Sequence, residues 1–136
     1  MLGLLVINLL AAGFVAFKVA TASSSSASDA ADPSGEVTGL VVALDPLIVN
    51  LDEPGTWRYL RITLELELMP EVGEEVIVKN KQMIRDTILR HLSGLRVKDT
   101  LGAEAKAKIR THLMIKLTKL MPDKIRRMFF QEFVVQ

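Results

Sequence analysis

Residues 1–17, MLGLLVINLLAAGFVAF, carry no charged side chain before Lys18, and everything downstream has to be read as tethered to that run. With Val19 to Ala22 it approaches the ~20 residues that a helix rising about 1.5 Å per residue needs to cross a hydrocarbon core of about 30 Å. Leu, Ile, Val and Phe fill eleven positions of 1–22. Each is favourable by roughly 0.3 to 0.6 kcal/mol at the membrane centre, and together they outweigh one Asn. The expectation is a transmembrane helix over 1–22, with the Lys18 ammonium snorkelling to the interface. A cleaved signal peptide is the competing reading, because Ala20-Thr21-Ala22 resembles a small-residue cleavage site. Against it, no Lys or Arg precedes the run, and the run exceeds the usual signal core of about 7 to 15 residues. Lys18 alone weakly favours a cytoplasmic C-terminal side.

Asn8, Ala12, Ala16 and Ala20 recur every four residues and stack along one helix face. Small side chains let helix backbones approach, so this stripe is a candidate oligomerisation face in the membrane. Alanine is also common in membrane helices generally. Residues 23–39 are rich in Ser, Ala, Asp, Pro and Gly and hold no bulky apolar residue before Val37, which predicts a flexible linker. Its serines lack a positioned base and read as spacer.

Residues 40–136 are long enough for one compact domain with a modest core. Leu44 to Leu51 is apolar but interrupted by Pro46, which predicts an edge strand or a bulge. Pro54-Gly55 signals a turn. Beyond it Leu60, Ile62, Leu64, Leu66 and Leu68 alternate with Tyr59, Arg61, Thr63, Glu65 and Glu67, a strand with one leucine-rich and one wet face. Ile77, Ile84, Ile88, Leu92 and Leu95 share one helical stripe ending near Gly94. A second helix is expected from about Ala103 to Leu120, with Ala105, Ile109, Leu113, Leu117 and Leu120 inward and Met121-Pro122 ending it. Ile125 to Val135 reads as a last strand. The fold class is therefore α+β: a single N-terminal transmembrane helix, a linker, and a β-β-α-α-β domain.

A formal net charge of +1 argues against a nucleic-acid binder. With no cysteine there is no disulfide, thiol nucleophile or Cys-based metal site. His91 and His112 lack a carboxylate or thiol at ligand spacing, and Ser93 lies in a helix-end turn, so neither a metal, a cofactor nor a small-molecule substrate is expected. A pilin-like subunit is a further class, but the glutamate such proteins share near the start of the apolar helix is missing, with none before Glu36. Charge is unevenly spread: Glu65, Glu67, Glu71, Glu74 and Glu75 crowd one stretch, and 106–127 holds eight Lys or Arg against Asp123. Lys106, Lys108, Arg110, Lys119, Arg126 and Arg127, with the off-stripe Ile115, and the glutamates opposite, are candidate subunit contacts that could join copies head to tail. Solvated helix faces, or anionic headgroups under the basic residues, are the other readings.

These residues resemble the FliL family of flagellar basal body-associated proteins. The resemblance rests on Leu44-Asp45-Pro46 with Val49-Asn50-Leu51, on Arg58-Tyr59, on Arg85-Asp86, and on Phe130 with Phe133-Val134-Val135. It implies a single-pass protein of the bacterial inner membrane with a periplasmic domain similar to stomatin-type (SPFH) domains. It also implies homo-oligomeric rings around flagellar stator proteins, supporting torque, swimming or swarming, with no catalytic residues. The basic cytoplasmic tail usual in that family is not among these residues. The alternative is a membrane-anchored or secreted periplasmic domain that oligomerises on another envelope complex.

An intramembrane Asn contributes about 0.6 kcal/mol, at most roughly 2, to a helix contact. Replacing Asn8 by Leu together with Ala16→Ile is therefore expected to weaken crosslinking between anchors several-fold in membranes, and an undiminished crosslinked ladder counts against the stripe.

Overall fold

A computed structural model describes residues 35–136. The transmembrane helix expected over 1–22, its Asn8/Ala12/Ala16/Ala20 face and most of the linker lie outside the described residues. Among those described, no helix is long and apolar enough to cross a membrane.

The alternating stretch forms β3 (Tyr59–Leu68), and its neighbours are β1 (Val41–Ala43), β2 (Leu47–Asn50) and β4 (Ile125–Val135). All three pair with β3 antiparallel. Residues 60–62 face both β2 and β4, and 65–67 face both β1 and β4. β3 is thus the central strand, with β1 and β2 end to end along one edge and β4 along the other. Between Ala43↔Glu65 and Leu47↔Ile62 the register slips by one residue, across Leu44-Asp45-Pro46. The strand expected over Leu44 to Leu51 is therefore confined to its second half as β2, because Pro46 has no N–H to give the ladder, and β1 precedes that segment.

Helices α1 (Glu75–Leu92) and α2 (Gly102–Leu120) cover one face of the sheet. Leu60, Ile62, Leu64, Leu66 and Leu68 are buried against Ile77, Ile84, Ile88 and Leu92 of α1 and Ile109, Leu113 and Leu117 of α2. Such side chains each contribute roughly 1.5–3 kcal/mol when fully taken from water. Leu95 and Leu120 pack at the margin of this core. A 3-10 turn at Val97–Thr100, which periodicity does not reveal, connects the helices, and the Thr100 hydroxyl donates to the Val97 carbonyl at 2.7 Å.

The other face of β3 departs from the expected wet surface. Thr63 is buried and Glu67 is 0% exposed. Arg127, its register partner on β4, is 4% exposed, and its Nε donates to Glu67 Oε2 at 2.5 Å. Residues 35–39 cross this end of the sheet. Thr38 and Gly39 N–H groups donate to Glu67 Oε1 at 2.9 and 3.2 Å, while Arg127 Nη1 and Nη2 donate to the Gly35 and Glu36 carbonyls at 2.7 and 2.6 Å. Only a glycine fits at 39, where a Cβ would overlap the Leu68 carbonyl oxygen.

Burial on its own pushes the Glu67 carboxyl upward. The Arg127 guanidinium and the Thr38 and Gly39 N–H groups more than reverse that, holding it at about 2 against an ordinary 4.5. A carboxyl lowered by folding stabilises the fold above its unfolded value and loses that contribution as pH falls through its folded value. Urea unfolding is expected to show stability dropping as pH is taken from 4.5 towards about 2, with a flatter profile in Glu67→Gln. Arg127→Met, which strands a buried carboxylate, is expected to cost about 3–5 kcal/mol at neutral pH.

Candidate assembly surfaces

The acidic cluster sits where β3 ends and α1 begins. Glu71, Glu74 and Glu75 are exposed and Glu65 is half-buried. Glu75 lies in the first turn of α1, where the helix dipole favours a carboxylate. Glu67 leaves the list of subunit contacts, because a fully buried carboxylate already bound by Arg127 has no surface to offer. Arg127 leaves it for the same reason. Arg126 is half-buried, with Nη1 3.8 Å from Glu67 Oε1.

The basic residues of α2 are also partly engaged at home. Lys106 Nζ lies 5.2 Å from the Phe133 ring centroid, and the Arg110 guanidinium lies 4.9 Å from that of Phe130. Their stems cover the rings of β4. Lys108 pairs with Glu104 at 2.9 Å, one helical turn away. Lys106, Lys108, Lys119 and Ile115 are all exposed, Ile115 as an aliphatic side chain. The charged surface is therefore the predicted one less Glu67 and Arg127: four glutamates at one end of the sheet, and the lysines of α2.

His91 and His112, 21 positions apart in sequence, meet edge to face across α1 and α2 with ring centroids 5.6 Å apart. Burial, then Lys116 and His112, hold His91 below its ordinary 6.5, and its Nε2 finds no hydrogen-bond partner among the described residues. No group of three or more His, Cys, Asp or Glu that could hold a metal occurs among them. The Ser93 hydroxyl donates to the Arg90 carbonyl at 3.4 Å.

The family-like motifs turn out to be structural neighbours. Tyr59 and Gln136 exchange both backbone hydrogen bonds at 2.9 Å, and the Tyr59 hydroxyl donates to Gln136 Oε1 at 2.5 Å. This closes the chain's last residues onto the start of β3, beside Asn50, Arg58 and Val134. Val49 and Leu51 are core residues, and Val135 packs at its edge. Asp45 bonds Lys81 at 2.8 Å, which with nearby Arg85 holds its carboxyl below the ordinary range. Asp86 pairs with Arg90 along α1.

Two features escape pattern reading. Trp57 is 89% exposed, and a cleft of about 210 Å³ lies between the β1–β2 break and α1, with Leu47, Ile84 and Ile88 in its wall and the Asp45–Lys81 pair beside it. The lone tryptophan next to Pro54-Gly55 is the one sequence signal that could have pointed to the first. The cleft joins residues more than thirty positions apart, and no local pattern announces it.

A histidine lowered by folding favours the fold while neutral and destabilises it on protonation. Stability is expected to decline as pH falls below 6.5, less so in His91→Gln, and an NMR titration is expected to place the His91 imidazole below the ordinary histidine range.

The family model for "Flagellar basal body-associated protein FliL" matches residues 41–136, the span from β1 through β4. A "Flagellar protein FliL" from Aquifex aeolicus (strain VF5) is 27% identical over 100 residues, which is 72% of this chain; the chain spans 62% of that relative's length.

Proposed function

We propose that this chain, which belongs to the FliL family of flagellar basal body-associated proteins, is a non-enzymatic accessory of the flagellar motor that assembles as a ring around stator units. The observation that carries this reading is the family match over the whole of the described fold, with an apolar run ahead of it that meets the length of a membrane anchor. In this reading residues 1–22 span the bacterial inner membrane, the linker of 23–39 is a tether whose last five residues are held against the domain, and 40–136 are a periplasmic, stomatin-like domain.

The physical logic is confinement. Anchoring holds every copy in one plane, so side contacts that are weak in solution accumulate at high effective concentration. Gly35 and Glu36 are already held by Arg127, which leaves residues 23–34 to bridge from the bilayer. Twelve residues reach at most about 43 Å when extended. The domain is thus kept close to the membrane, beside whatever partner protrudes there.

A ring acts on the stator only through differential affinity. It binds the open, ion-conducting form better than the closed one, and shifts the population by that difference. The candidates for contacts between copies that remain at the surface are Glu71, Glu74, Glu75, Lys106, Lys108, Ile115 and Lys119, with half-buried Glu65 beside them. Deleting the chain is expected to reduce torque and stator occupancy most under high viscous load, measured on tethered motors. Full torque and full occupancy in the deletion strain at high load would falsify the reading.

A further inference from the structure

The turn between β2 and β3 is tied down at its neck and carries an exposed tryptophan. Leu51 N–H donates to the Arg58 carbonyl at 2.8 Å across its neck, and Asp52 N–H donates to the Leu95 carbonyl at 2.9 Å. The Glu53 carboxylate accepts the Val97 N–H at 2.9 Å. The turn is thus tied on its flank to the connection between the two helices. A loose turn could fold the indole back on the domain. This one is anchored at its neck and presents 89% of the residue to solvent, a large aromatic side chain of the kind that dominates contacts when it is buried.

The same chain carries a matching hole elsewhere. The cleft of about 210 Å³ between the β1–β2 break and α1 has Leu47, Ile84 and Ile88 in its wall and the exposed Val78 at its side. An apolar cavity of about 150 Å³ takes up a benzene ring, so this one has room for a two-ring indole. Lys81 and Arg85 also line it, and Arg85 makes no direct ion pair among the described residues. Asp52 and Arg58, both exposed on the same turn as Trp57, carry one charge of each sign, as Arg85 and Glu74 do at the cleft.

We propose that Trp57 of one copy seats in the cleft beside Val78 of the next, with Asp52 against Arg85. Knob and hole occupy different places on the domain, so each copy keeps one of each free after pairing. The contact is heterologous, and it propagates head to tail until rotation closes it. This deepens the self-assembly reading above and rests on it. It also assigns the contact to an aromatic anchor rather than to the charged patches.

Trp57 is the single tryptophan of the chain, so intrinsic fluorescence reports this residue alone. The full-length protein in detergent is measured across a concentration series, following emission, acrylamide quenching and oligomer size together. Emission is expected to move to shorter wavelength, and quenching to fall, in step with oligomer formation. Trp57→Ala and Val78→Asp are each expected to weaken association by about tenfold or more. Both positions are exposed, and an acid in the first turn of α1 suits the helix dipole, so both variants should fold. Oligomers whose Trp57 stays fully quenchable, or that survive either substitution, would overturn this contact and leave self-assembly standing. A blue shift that persists in Val78→Asp would place the indole in detergent and overturn it equally. A protein that stays monomeric at every concentration would remove both readings.

Discussion

β3 is hydrogen-bonded along both of its edges, and that double pairing makes the interior possible. A strand whose backbone groups are all satisfied can be removed from water without leaving orphaned donors or acceptors. Its five even-numbered side chains, Leu60 to Leu68, are then free to form the floor on which both helices lie. The helices depend on that floor in turn, since an amphipathic helix gains most of its stability from packing its apolar face. The short edge strands β1 and β2 have few residues of their own to pair and are held in place by β3.

The opposite face of the same strand carries the second organising interaction. A carboxylate and a guanidinium taken out of water are costly unless every lone pair and proton finds a partner. Here the partners are backbone groups of residues 35–39, so the ion pair and the strap satisfy each other. Apolar contact is non-directional and would let this segment lie in many ways. The forked guanidinium and the two-oxygen carboxylate accept one path, which sets where the preceding chain joins the domain.

Much of the architecture was legible in the residues. The period-two run of β3, the stripes of α1 and α2 and the break at Pro46 all depend on neighbours within a few positions. β3, β4 and α2 sit within a residue or two of their predicted places, whereas β1 precedes the Leu44 to Leu51 segment in which the first strand was expected. The exposure of the charged residues was read less well. Charged residues were taken as outward because charge usually is, yet Glu67 and Arg127 are interior, and Arg110 is half-buried over the Phe130 ring. The family motifs were visible as strings, but their meeting at the start of β3, where Tyr59 bonds Gln136, was not.

Side-chain periodicity along the chain was enough to establish the two helices, the long strands and the apolar run at the start, because period is a local property that each segment carries wherever it ends up. Which polar residues would be buried depended on the folded whole. Glu67 and Arg127 are 60 positions apart, and they meet only through a β3–β4 register that shifts at Thr63/Leu64 and again at Glu67/Leu68. A slip of one residue turns every side chain to the other face of a sheet. That choice is made by the packing of distant segments against one another, and no stretch of this chain encodes it alone.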